Sequence, residues 1–304
     1  MPRKLSPADE YQPSPHFAGK INIGSRELYA TLRGSGPLVV LELGASGGGT
    51  WGSVVEALAR FSTVLVYDRA GVGRSDIAND RRTIDLLAAD LHAMIELIPA
   101  QRPAVIVGWS LTGLSALLHA FEYPEDVLGL VLVDPTPHTL YSDPQSKRLA
   151  PNFKRQLRLQ RLLSRLGFGR LWGRNAMRDF LVKHSGQITD NAVLARYADS
   201  LRGLASAPAS RELESLPESC EIAAGRMGGE FPDVPLIVLS ATINSANPPL
   251  INETLVEAHR AMALLSPLGE FRPVDGASHM MTLDRPDAIV SAVRDILEKQ
   301  SANS

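Results

Sequence analysis

The chain has 304 residues, 44% of them hydrophobic and 21% charged, with a formal net charge of −2 at pH 7. That supply of apolar residues can form a sizeable core in one large α/β domain or two smaller ones, and a near-neutral balance gives no global field to attract nucleic acid. The single Cys220 excludes an internal disulfide framework, and no Cys or His pairs stand at ligand spacing, so no metal is expected.

Residues 1–19 are rich in Pro and polar groups and read as a loose arm. They hold no apolar run fit for a signal peptide, and no later stretch approaches membrane-span length; a cytoplasmic location without an integral membrane segment is expected. Residues 21–32 alternate loosely around Gly24-Ser25, the pattern of a hairpin at a sheet edge. Leu38 to Leu43 is a nearly continuous apolar run, as in a parallel strand buried on both faces. It opens into Gly44-Ala45-Ser46-Gly47-Gly48-Gly49-Thr50-Trp51 and a helix over 53–60. The backbone N–H groups of such a loop can cradle a phosphate or an oxyanion, but neither G-x-G-x-x-G nor a closing G-K-[ST] is present.

Thr63 to Tyr67 is the next strand, running into a tight loop whose Asp68 and Arg69 are read as structural charges. Ile84, Leu87, Leu91, Met94 and Ile95 mark a helix from Thr83 to Leu97. Then come Val105-Ile106-Val107, the turn Gly108-Trp109-Ser110-Leu111-Thr112-Gly113, and a helix that stops at Pro124. A β-branched run, one Ser between small residues, and a helix together read as a strand, a nucleophile elbow and a helix. A residue held at positive φ on a sharp turn crowds its neighbours, and Gly108 and Gly113 leave room. The helix start aims free N–H groups and a positive dipole end at the place where an attacking oxygen would develop negative charge.

Val127 to Val133 is a further buried strand, ending at Asp134-Pro135. Strands and helices thus alternate with short connections, as in a mainly parallel sheet flanked by helices. From 135 to 232 that rhythm gives way to helical spacing, with Asn152 to Leu166 as one helix, and 147–178 carries ten Lys or Arg and no acid. Such a basic run reads as a solvated helix face, with an anionic surface as the competing use. The sheet pattern returns at Leu236 to Ser240, followed by a helix at 253–265, in which His259 is read as a surface or packing residue. A short strand over 271–274, the segment Gly276-Ala277-Ser278-His279 and a closing helix over 286–299 complete the chain. The expected organisation is a core over 1–134 and 233–304 with a helical insertion over 135–232.

The Gly44 loop, the segment Asp68-Arg69-Ala70-Gly71-Val72-Gly73-Arg74-Ser75, the Ser110 elbow, and Gly276-Ala277-Ser278-His279 before the last helix occur in that order. Together they resemble the α/β-hydrolase fold family, over nearly all of the chain apart from the arm and the insertion. The resemblance implies Ser110 as nucleophile, His279 as general base, and residues 135–232 as a cap. The family usually places its acid after the strand that here is Leu236 to Leu239, where Ser240-Ala241-Thr242-Ile243-Asn244 offers no carboxylate. Some members carry it after the preceding strand, which makes Asp134 the expected acid, with Asn244 as a neutral substitute. Thr112 stands where the elbow often has Gly, Ala70 where Pro is frequent, and Leu43 where a His often precedes the oxyanion Gly.

Those assignments imply an acyl-enzyme route with no cofactor or metal: His279 takes the Ser110 proton, Asp134 fixes the imidazole, and the N–H groups of Leu111 and Ala45 receive the oxyanion. Gly44, Ser46 and Trp109 are the expected substrate contacts. Apolar side chains of the insertion favour a hydrophobic small-molecule ester or lactone, with a macrolactone such as a mycotoxin as one specific candidate. Ser110 at the elbow argues against dehalogenase and epoxide-hydrolase chemistry, which use Asp there. Peptidase or carbon-carbon bond hydrolase activity, or a non-catalytic small-molecule binding protein on the same scaffold, are the competing readings. Nothing in the sequence sets an oligomeric state.

Overall fold

The computed structural model describes residues 17–44, 51–78, 80–98, 102–142, 155, 207–243 and 249–303. In chain order the elements are β1 (Phe17–Asn22), β2 (Glu27–Arg33), β3 (Leu38–Glu42), α1 (Gly52–Leu58), β4 (Thr63–Tyr67), α2 (Ile84–Glu96), β5 (Ala104–Trp109), α3 (Leu111–Glu122) and β6 (Val127–Val133). After β6 come α4 (Ala207–Glu214), α5 (Leu216–Arg226), β7 (Leu236–Ile243), α6 (Pro249–Ala263), β8 (Gly269–Ser278) and α7 (Pro286–Asn303).

The strands form one eight-stranded sheet in the order β1-β2-β4-β3-β5-β6-β7-β8. β1 and β2 are antiparallel to their neighbours and every pairing from β4 to β8 is parallel. β5 shows why the central strands read as unbroken apolar runs: all six of its residues are buried. Val105 and Val107 face one side, with Trp51 of the α1 entry and Ile289, Val293 and Ile296 of α7. Ile106 faces the other, with Leu91 and Met94 of α2 and Leu117 of α3. Successive side chains leave a strand on opposite faces, so a sheet covered on both sides wants apolar residues at every position. Each fully buried Val, Leu or Ile contributes about 1.5–3 kcal/mol relative to exposure.

Two edges differ from the sequence reading. β1 begins at Phe17, inside the expected arm, because Gly19 and Lys20 obscure a strand whose residues alternate in burial. β8 runs four residues beyond Val274 to Ser278. Pro273 and Gly276 interrupt its apolar pattern, and a proline is tolerated there because β8 is an edge strand.

Among the described residues between β6 and β7, helix α5 packs Leu216, Cys220 and Ala223 against Ile84 and Ala88 of α2 and Leu111, Leu114 and Leu118 of α3. It therefore braces the helix that begins at the elbow. The helix expected over 152–166 and the basic run over 147–178 lie outside the described residues except for Arg155.

Candidate active site

The tips of β5, β6 and β8 meet at their carboxyl ends. Ser110, between β5 and α3, has φ 59° and ψ −122°. Among the described residues the non-glycine residues with positive φ are Ser110 and Asp134, the latter at φ 41°. Such conformations cost on the order of 1–3 kcal/mol and persist where the surroundings over-determine them.

The surroundings here are specific. The Ser110 N–H donates to the Val133 carbonyl (3.1 Å), and the Ser110 carbonyl accepts from the N–H groups of Gly113 (3.1 Å) and Thr136 (2.9 Å). A Cβ on Gly108 would lie 2.6 Å from the Thr112 carbonyl, and one on Gly113 would lie 2.7 Å from Pro135 Cβ. Thr112, which the elbow pattern makes appear bulky, stitches the site together instead. Its hydroxyl oxygen lies 2.8 Å from the Glu42 carbonyl, 2.9 Å from the Trp109 carbonyl and 3.1 Å from the Trp109 N–H, joining the tips of β3 and β5. The Ser110 side chain makes no hydrogen bond among the described residues and is partly exposed.

His279 follows directly on β8. Its Nδ1 lies 2.6 Å from Asp134 Oδ2, and its side chain is 48% exposed where that of Asp134 is 9%. The pairing spans 145 residues of chain. The His279 loop is fixed from both sides: the Trp109 indole N–H donates to the His279 carbonyl (2.8 Å), and Asp284 Oδ2 accepts from the Ser278 N–H (3.0 Å) and hydroxyl (2.5 Å). Asp134 Oδ1 accepts from the Ala241 N–H (3.0 Å), and the Asp134 N–H donates to the Leu239 carbonyl (2.8 Å). Burial acts to raise the Asp134 pKa, but the hydrogen bond and charge of His279, with smaller help from His259 and the Ala241 N–H, hold it below the ordinary carboxylate value.

Trp109 is buried, 3% exposed, with its ring 5.6 Å from that of His279. Its contacts here are to the His279 loop and to Gly44 beneath it, not to open space. Gly44 is held by Arg69, which donates to its carbonyl at 3.1 Å and also to the Leu43 carbonyl. The same guanidinium forms a two-pronged pair with Glu212 of α4, at 3.0 Å and 2.7 Å. Leu111 opens α3, where the first N–H groups have no intrahelical acceptor. Ala45, Ser46 and Asn244 lie outside the described residues. Among the described residues no group of His, Cys, Asp or Glu is arranged to hold a metal ion, and no helix is long and apolar enough to cross a membrane.

A buried histidine lies next to this cluster. His259, read as surface or packing, is 2% exposed and hydrogen-bonded to Ser240 and to the Pro135 carbonyl. Its helical position gives no signal, because its partners come from β7 and from the turn after β6.

With this geometry in view, the comparison that decides the family is a match to the model described as alpha/beta hydrolase family over residues 43–292. The chain belongs to the alpha/beta hydrolase family. Among curated relatives of this hydrolase, a protein of Azorhizobium caulinodans named as a carbamate hydrolase, RutD, is 32% identical over 112 residues, 36% of this chain and 42% of that protein. A pimeloyl-[acyl-carrier protein] methyl ester esterase of Yersinia enterocolitica is 31% identical over 116 residues, 37% of this chain and 42% of the esterase. The chain spans about half or less of the length of the curated relatives it matches. Among solved structures, the enol-lactonase from Burkholderia xenovorans superposes with a TM-score of 0.65 at 19% identity, covering 92% of this chain and 99% of that one. An epoxide hydrolase from Vigna radiata does so with a TM-score of 0.73 at 15% identity, covering 93% and 98%. At those identities the likeness is one of fold.

Proposed function

We propose that this hydrolase cleaves a carboxylic ester or lactone of a hydrophobic small molecule through an acyl-enzyme formed on Ser110. The observation that carries the reading is the coincidence of a strained Ser110 at the β5 tip with the Asp134–His279 pair at 2.6 Å on the tips of β6 and β8. A serine hydroxyl is a poor nucleophile unless a base takes its proton as it attacks. His279 Nε2 does this, while Asp134 accepts from Nδ1–H, fixes the tautomer and stabilises the imidazolium. The Leu111 and Ala45 N–H groups receive the oxyanion, each such donor being worth about 3 kcal/mol of barrier. His279 returns the proton to the leaving oxygen and then activates the water that releases the acid. Ser110, in place of an elbow Asp, favours this route over epoxide opening. The similarity to a methyl ester esterase supports the bond type; a macrolactone such as a mycotoxin is the specific substrate candidate.

The test is turnover of a panel of activated aryl esters, lactones and aryl carbamates, with fluorophosphonate labelling. Labelling at Ser110, and turnover lost in Ser110→Ala, Asp134→Asn and His279→Ala, is the expected result. An intact chain that neither labels nor turns over any member points to a binding protein, and full activity in Asp134→Asn removes the acid from Asp134.

A further inference from the structure

Asp134 lies between two imidazoles, of which the reaction uses only one. The second, His259 on α6, has a side chain 3% exposed, and its Nδ1 is 4.0 Å from Asp134 Oδ1. Its Nε2 lies 2.8 Å from the Pro135 carbonyl and its Nδ1 lies 2.9 Å from Ser240 Oγ. A carbonyl can only accept, so the proton sits on Nε2, and the bare Nδ1 of the neutral ring accepts the Ser240 hydroxyl. Burial, the largest influence, lowers the His259 pKa, opposed by the Asp134 charge and the Pro135 hydrogen bond and aided by His279, so the neutral ring is favoured.

The turn that this ring grips is the one that must be held. Asp134 is in the left-handed region without being glycine. Pro135 has no N–H, so its carbonyl is its one backbone polar group, and His259 is the partner of that carbonyl. The next residue, Thr136, donates to the Ser110 carbonyl. The Asp134–Pro135–Thr136 turn is thus anchored on one side to the elbow and on the other to α6.

We propose that His259, backed by Ser240, is a positioning residue of the hydrolytic site, holding the Asp134–Pro135 turn in the geometry at which the carboxylate meets His279. This rests on the reading that Asp134 orients His279. From α6, His259 reaches Ser240 of β7, the strand that the resemblance makes the usual carrier of the acid. In this chain β7 and α6 support an acid carried by the neighbouring strand.

The experiment compares kcat and KM for an aryl ester that the wild type hydrolyses, and Ser110 labelling rates, across His259→Phe, His259→Gln, Ser240→Ala and Asp134→Asn. Phe preserves an aromatic ring but neither hydrogen bond; Gln retains a donor for Pro135 and an acceptor for Ser240. The expected results are a kcat reduced about 10–100-fold in His259→Phe with KM within about 2-fold, and most of that kcat recovered in His259→Gln. Ser240→Ala should lower kcat less than His259→Phe does. The decisive arm combines His259→Phe with Asp134→Asn. A residue that acts through Asp134 loses its effect once the carboxylate is gone, so the double variant should be no slower than Asp134→Asn alone. Independent, multiplying losses, or a folded His259→Phe with wild-type kcat, would overturn the proposal. Should His259→Phe not fold, His259→Asn, smaller and too short to reach Pro135, replaces it with the same expectations. Wild-type activity in Asp134→Asn would instead sink the parent reading, whatever the His259 variants do.

Discussion

Arg69 and Glu212, 143 residues apart in sequence, form a buried ion pair whose side chains are 2% and 0% exposed. Burial alone would lower the Arg69 pKa, but Glu212 and its neighbours more than offset that and keep the guanidinium charged. One arm of the pair belongs to α4 and the other grips the Leu43 and Gly44 carbonyls at the root of the Gly-rich loop. Removing one partner strands a buried charge, which typically costs about 3–5 kcal/mol. Glu212→Ala should therefore lower the unfolding free energy by that order, while Arg69→Met with Glu212→Leu should recover part of the loss. Equilibrium unfolding of the three chains measures it.

Glu42 adds a pH signature to the same region. It is fully buried and accepts from the Tyr67 hydroxyl, and burial raises its pKa from 4.5 to about 7. Below about 4.5 the folded and unfolded chains both hold this proton; between 4.5 and 7 only the folded chain does. Stability should therefore fall as pH rises through that window and level off above it, by on the order of 3 kcal/mol from this group. Thermal unfolding of wild type and Glu42→Gln between pH 4.5 and 8 should show this component of the slope only in the wild type.

Gly113→Ala tests how tightly the elbow and the acid-bearing turn are pressed together. The added methyl would meet Pro135 Cβ at 2.7 Å, so either α3 or the Asp134 turn must move. Overpacking of this kind costs about 1–3 kcal/mol, and hydrolysis should fall with it. A variant as stable and as active as the wild type would show that the turn yields freely.

Cys220 sits in the contact of α5 with α2 and α3, and burial pushes its thiol up to about 12. The thiolate is the reactive form. The native chain should leave a disulfide reagent unreacted at pH 8 and give one equivalent of reaction once unfolded in urea.

How much of this was legible in the sequence varies by residue. The central strands announced themselves, since a run such as Val105-Ile106-Val107 has few alternatives to burial on both faces. The elbow could be read locally because its glycines lie within five residues of one another in the chain. Asp134 is legible only through the family resemblance, since no local pattern links a carboxylate at the end of β6 to an imidazole 145 residues on. Arg69, called structural, has a partner no local pattern could name. His259 reads only as a surface or packing residue because its contacts are set by how α6 lies against β7 and the turn after β6. In the motif Thr112 is visible only as a departure from Gly, because its backbone partners, two on Trp109 and one on Glu42, come with the fold.

Ser110 and Asp134 belong to consecutive strands of the chain, whereas His279 arrives from the far side of the β6–β7 seam, where Leu130 to Val133 pair with Leu236 to Leu239. A chain divided between those two strands would keep the proposed nucleophile and acid on the amino-terminal piece and leave the proposed base on the other. Neither piece could turn over ester by the proposed route, and hydrolysis would appear only as the seam closed. The sheet register thus makes activity a direct reporter of whether two halves of the polypeptide have found each other.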